Sequence, residues 1–138
     1  MHSVTLVSNK LYQIILTNMG IGKGWAHPVH MHGHSFDVVK MGYSTYDKET
    51  GKILEENMDI DCGGDTIIVP SGGYVVLRIM ADNPGIWFMH CHIELHNHNG
   101  MALLLNESFH EQPMPPAGFP TCGSYNGDEV NGVDRQGR

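Results

Sequence analysis

Apolar residues in this chain fall in short runs bounded by turn-forming residues, without the three-to-four spacing of an amphipathic helix. Val4 to Val7 and Leu11 to Thr17 are rich in Val, Ile and Leu and flank Ser8-Asn9-Lys10, which predicts two strands and a turn. Met19 to Trp25 (MGIGKGW) is glycine-rich and predicts a loop. Ser35 to Met41 predicts a strand. Its mixed alternation, Phe36, Val38 and Lys40 against Asp37, Val39 and Met41, implies burial on more than one side. Thr66 to Val69 and Tyr74 to Met80 predict strands around the turn Pro70-Ser71-Gly72-Gly73. Asp82-Asn83-Pro84-Gly85 turns the chain into a strand from Ile86 to His92, and Met101 to Leu105 predicts the last one. Seven short strands with turn chemistry between them predict an all-β fold, a Greek-key β-sandwich or barrel. From Glu111 onward Pro and Gly dominate, so the expected organisation is one domain over residues 1–110 and a Pro/Gly-rich tail over 111–138.

Two of these segments carry most of the histidine. Gly85 to Met101 (GIWFMHCHIELHNHNGM) holds Cys91 and four histidines. On a strand, His90 and His92 leave one face and the Cys91 thiol leaves the other, so one strand can serve two metal sites. His96 and Met101 follow Cys91 at plus five and plus ten, within reach of a loop that returns to the sulfur. Two histidines, a thiolate and a weak axial methionine make the ligand set of a blue-copper electron-transfer centre. The second segment, His27-Pro28-Val29-His30-Met31-His32-Gly33-His34, supplies further histidines. His30, His32 and His34 share one face of an extended segment, while Pro28 fixes φ, turns the chain and sets His27 apart. A natural division gives His27 to the metal beside Cys91, and gives His30 and His32 to metals beside His90 and His92.

HPVHMHGHSF followed about fifty residues later by WFMHCHIELHNHNGM resembles the C-terminal cupredoxin domain of multicopper oxidases, closest to the laccase-like proteins of animals. The resemblance covers about Leu11 to Cys122. It implies copper as cofactor, with His27, Cys91 and His96 binding a type 1 copper and Met101 in the axial position. It further implies His30 as a type 2 ligand and His32, His90 and His92 as type 3 ligands. His34 occupies a position that supports the site, and His2, His98 and His110 are expected to be structural. A reductant would deliver single electrons through His96, and these would pass through Cys91 to the three-copper cluster, where dioxygen is reduced to water. His96 and Cys91 are therefore the residues expected to carry catalysis.

The remaining cluster ligands of the family come from His-x-His motifs in an N-terminal cupredoxin domain, and no such motif is left over in this sequence. By resemblance the domain is then truncated on its N-terminal side. The missing half of the cluster would come from the N-terminal cupredoxin domain of the same oxidase or from another subunit. Two other readings stand beside the oxidase, a type 1 copper-binding or electron-transfer module without catalysis, and a copper-free structural domain. A zinc-protease reading of His92-Ile93-Glu94-Leu95-His96 fails, because that motif needs the glutamate directly after the first histidine.

Composition narrows the setting. The 138 residues suffice for one core, and a net charge of −7 argues against nucleic acid or an anionic membrane surface as partner. No apolar run reaches the roughly 18 residues of a membrane helix, and Met1-His2-Ser3 opens no secretory signal. The family resemblance implies a secreted protein. With Cys91 assigned to copper, Cys62 and Cys122 remain as one possible disulfide pair, and Asn106-Glu107-Ser108 is a glycosylation sequon if the chain is secreted. Tyr43 to Asp65 carries seven of the fifteen acidic residues and predicts a solvated loop, or an acidic rim that attracts cationic reductants. By the resemblance, animal members of the family carry a longer insert between the segments matching Asp59-Ile60-Asp61-Cys62 and Asp65-Thr66-Ile67-Ile68, so the chain is expected to be shortened there.

Overall fold

The computed structural model describes residues 2–19, 24–46, 49–50, 53–58 and 63–119. Two five-stranded sheets face each other. The first contains β1 (His2–Leu6), β10 (Ala102–Glu107), β9 (Gly85–Cys91), β3 (His27–Met31) and β7 (Thr66–Val69), in that spatial order. The second runs β2 (Leu11–Thr17), β8 (Gly73–Met80), β4 (Phe36–Tyr46) and β5 (Ile53–Met58), with the two-residue β6 (Gly63–Gly64) also paired to β4. Neighbours in sequence repeatedly change sheet, and all described pairings are antiparallel except β1 with β10. This is the all-β sandwich predicted from the strand signals.

Alternation along the strands decides what lies between the sheets. Met31 and Met89 are cross-strand partners on β3 and β9, and both are buried, with Val69, Leu105 and Leu6 around them. From the second sheet, Val75, Leu77 and Ile79 of β8 meet them, each at 1% exposure or less. Phe36, Val38 and Met41 of β4 complete this core. The change of parity between Val38 and Met41 has a local cause. A β-bulge shifts the β4–β8 register between Val38 and Lys40, leaving Val39 unpaired and exposed. The mixed alternation expected to mean burial on two sides is therefore one inward face resumed after an extra residue.

Three other expectations change. The polar segment from Tyr43 is not a loop throughout, because β4 continues to Tyr46 and pairs with β5, Met41 opposite Met58 and Tyr46 opposite Ile53. The longer β4–β5 pairing overrides the polar composition. Pro28 does not turn the chain. It lies inside β3 opposite Ile68 of the edge strand β7, and its carbonyl accepts the His92 N–H at 2.7 Å. A short helix, α1 (Glu94–His98), follows Cys91 where only a loop was expected. Cys62, Cys122 and most of the tail lie outside the described residues, as do Asp59 to Asp61, so the disulfide pair, the shortened insert and much of the acidic rim do as well.

Candidate metal centre

Strand register separates the histidines into two groups. Across β3 and β9, Val29 faces Cys91 and His30 faces His90. His27 shares the parity of Val29 and therefore lies on the Cys91 side, at the end of the space between the sheets. His30 and His90 project from the outer face of the first sheet, with His32 and His92 beside them. His27 is set apart by plain alternation, not by a proline turn.

On the inner side three donor atoms close into a triangle. His27 Nδ1 and His96 Nδ1 are 3.1 Å apart, and each lies 3.7 Å from Cys91 Sγ. A circle through the corners of a triangle with sides of 3.1, 3.7 and 3.7 Å has a radius of about 2.0 Å. That is close to the ~2.0–2.3 Å at which imidazole and thiolate bind a divalent transition metal. Cys91 is 1% exposed, whereas His27 and His96 are half-buried. Cys91 is also the free cysteine among the described residues.

The backbone explains how the triangle is assembled from distant positions. Beyond Cys91 the chain enters α1, whose first turn returns His96 toward the sulfur. The His96 N–H donates to the Ile93 carbonyl at 3.0 Å. Gly100, at φ 96°, reverses the direction. The Met101 N–H then donates to the His96 carbonyl, and the Met101 carbonyl accepts the Cys91 N–H, both at 3.0 Å. This clasp places Met101 beside the triangle, where its side chain helps line two cavities, of about 250 Å³ next to His27 and about 120 Å³ next to Cys91. The Trp25 ring stands edge-on to His96, centroids 5.9 Å apart.

The outer group is open. His32 Nε2 and His90 Nε2 are 3.2 Å apart, and the His30 ring lies 4.8 Å from His32, 5.8 Å from His90 and 5.9 Å from His92 between centroids. His32 and His92 are exposed, and His30 and His90 are half-buried. His90 Nδ1 lies 3.0 Å from the Cys91 carbonyl oxygen, which can only accept, so that nitrogen carries the proton and Nε2 faces His32. The same hydrogen bond joins the outer group to the residue at the centre of the inner one.

Burial, and next the proximity of His96, lowers the pKa of His27 below its usual 6.5. His32, although exposed, is lowered by partial desolvation among its neighbours and then by His30, His90 and His92, with Asp65 opposing. Both shifts favour the neutral imidazole that a metal requires.

His34 does not share a face with His30 and His32. The chain reverses at Gly33, where φ is 75° and an added Cβ would lie 2.2 Å from the Trp87 ring, so His34 turns inward. There His34 Nε2 meets Glu107 Oε2 at 2.8 Å, with side-chain exposures of 3% and 0%. Glu107 Oε1 accepts the Asn83 N–H at 2.7 Å, Asn83 Nδ2 donates to the Gly33 carbonyl at 2.8 Å, and Trp87 Nε1 donates to the Asn83 carbonyl at 2.7 Å. This buried network ties the turn after His32 to the end of β10. Sequence reading missed Glu107 in this role, having met it only inside the sequon. Asn106 itself lies in β10, its Oδ1 accepting from Gln112 Nε2 at 3.0 Å.

A family model for multicopper oxidase matches residues 1–110. The chain belongs to the multicopper oxidase family. Laccase-6 of Arabidopsis thaliana is 39% identical over 118 residues, covering 80% of this chain and 20% of that protein. Laccase-25 of Oryza sativa subsp. japonica is 36% identical over 123 residues, covering 86% and 21%. The chain spans about a fifth of the length of these curated relatives. Among solved structures, Fet3p, a multicopper oxidase that functions in iron import, superposes with a TM-score of 0.61 at 34% identity, over 78% of this chain and 21% of its own. The laccase from Botrytis aclada gives 0.65 at 27% identity, over 83% and 21%. The fold is that of the cupredoxin-like domains of this oxidoreductase family, and the inner His-Cys-His group fits a type 1 copper site.

Proposed function

We propose that this chain is the copper-binding C-terminal domain of a laccase-like multicopper oxidase. The oxidase would couple one-electron oxidation of phenols, aromatic amines or metal ions to the reduction of dioxygen to water. The observation that carries this reading is the triangle of His27, Cys91 and His96, whose donor types and separations suit a type 1 centre. When bound there, copper supplies a centre that takes up and releases one electron at a time. Cys91 would hold it as thiolate, His27 and His96 as neutral imidazoles, and Met101 from the clasp would be a further, weaker thioether donor. His96 is half-buried beside Trp25 and offers the ring edge through which a reductant makes contact.

His30 as type 2 ligand, and His32, His90 and His92 as type 3 ligands, would form one half of a trinuclear site. The His90-Cys91-His92 peptide links the two ligand sets through bonds, and the contact between His90 Nδ1 and the Cys91 carbonyl adds a second link. The other half-site is assigned to an N-terminal cupredoxin domain of the same oxidase or to another subunit. Residues 1–110 would form the copper-binding unit and 111–138 its tail, in a secreted protein. No helix among the described residues is long and apolar enough to cross a membrane.

The closed inner triangle beside an open outer group also favours a second reading, an electron-transfer module that uses the type 1 site alone. Loading the chain with cupric ion tests what the two readings share. An intense visible thiolate-to-copper band that disappears in Cys91→Ser is expected, and a colourless copper adduct of the folded chain would overturn both. Oxygen consumption after addition of the N-terminal domain separates them.

A further inference from the structure

Beside His30 stands a small hydrogen-bonded support built by Asp65 and Thr66. Register places Thr66 directly opposite His30 across β3 and β7. Three oxygens converge on His30 Nδ1: Thr66 Oγ1 at 2.8 Å, the Asp65 carbonyl at 3.0 Å and Asp65 Oδ1 at 3.6 Å. The carbonyl is itself held in place by the Met31 N–H at 2.8 Å.

The protons can be assigned from what each group is able to give. A carbonyl oxygen only accepts, so the Asp65 contact needs a hydrogen on His30 Nδ1. The Thr66 hydroxyl donates to Asp65 Oδ1 at 2.8 Å, which leaves its oxygen to accept from the imidazole. Donation therefore runs one way, from imidazole to hydroxyl to carboxylate. In the neutral ring, Nε2 then keeps its lone pair.

We propose that Thr66 and Asp65 are positioning residues that lock His30 in the Nδ1–H tautomer and present Nε2 to a metal ion on the outer face. The inference rests on reading His30 as a ligand. An imidazole on an exposed sheet face with no such support divides its population between tautomers and ring orientations, and only part of that population can bind. Here the hydroxyl stands between carboxylate and imidazole, where metal-binding histidines commonly donate to a carboxylate directly, and the negative end strengthens the ring as a donor. His90 is fixed by a different device, the Cys91 carbonyl. The outer group thus has two of its imidazoles oriented by acceptors that belong to this chain.

Long-range proton–nitrogen correlation spectra of the 15N-labelled, metal-free chain read the tautomer directly. Zinc, which is redox-silent, then serves as the probe in a titration followed on the His30 ring signals. The wild type should show His30 with Nδ1 protonated and Nε2 bare. Thr66→Val and Asp65→Asn should each weaken zinc binding at His30 by about tenfold, while Thr66→Ser restores it. The side chain of Asp65 is 61% exposed, so Asp65→Asn carries the test if Thr66→Val does not fold. An Nε2–H or evenly mixed His30 in the wild type would overturn the proposal, as would zinc binding at His30 within about twofold of wild type in every folded variant. The tautomer is read without copper. Loss of the oxidase reading, seen as a colourless copper adduct, is therefore a separate outcome from loss of this one.

Discussion

The inner triangle and the outer histidine group are built from the same two strands and differ in what completes them. Three donors of the triangle come within 3.7 Å of one another with no contribution from outside the chain, because α1 and the Gly100 turn return His96 and Met101 to Cys91. The outer group has four imidazoles on a sheet face, two of them exposed, with the Phe88 ring stacked on His90 at 4.5 Å between centroids. Alternation along a strand is enough to create two sites one residue apart. Closing a site takes a second element on the far side of the metal, and among the described residues α1 supplies one to the inner site.

That contrast sets the expected outcomes. Cys91→Ser should have the largest effect, abolishing the visible charge-transfer band while leaving zinc binding at the outer histidines within about twofold, since the side chain lies on the other face. Absorption spectra and a zinc titration of the same variant check both halves. Glu107→Ala should cost about 1–3 kcal/mol in chemical denaturation, because it leaves the Asn83 N–H without its acceptor and His34 buried without its neighbour. In that variant the outer group should lose metal affinity more than the inner one, as the network anchors the turn just after His32. Equal losses at both sites would contradict the separation.

Met101→Leu should act on the inner site alone. With Met101 as the proposed weak thioether donor, the colour should be retained and the reduction potential should rise, because loss of that donor would destabilise the oxidised metal; voltammetry reads the shift. The smallest effect expected is one of pH on the metal-free chain. His27 and His32 have lowered pKa values when folded, so the unfolded chain binds more protons as pH falls through 6.5. Stability should therefore be fully present above pH 6.5, fall as the pH drops from there toward the lowered values, and level off below them. Denaturation midpoints across that range, compared with His27→Gln, show the inner contribution.

The division of the histidines between two faces of the sheet was legible in the sequence, because motif spacing and a period of two are local properties. Cys91 between His90 and His92 could be placed on the opposite face with no tertiary information. The features that escaped depend on long-range pairing. Val39 reads as ordinary strand until β8 shows the skipped register, and Glu55 and Glu56 read as loop until β4 continues alongside them. Glu107 was invisible as a structural residue, since its partner His34 lies more than seventy positions away and turns inward only because Gly33 takes a positive φ under Trp87. Asp65 and Thr66 were seen as part of an acidic stretch and a strand, and their contact with His30 appears only when β7 pairs with β3.

Oxygen consumption by the isolated, copper-loaded chain, with copper content and monomeric state measured on the same sample, tests the contrast most directly. A closed inner site beside a half-built outer one predicts one-electron reduction of the blue centre by a phenolic substrate with little or no catalytic uptake of oxygen. Under the oxidase reading, turnover should appear when the proposed N-terminal cupredoxin domain is added. Sustained turnover by a verified monomer would contradict it.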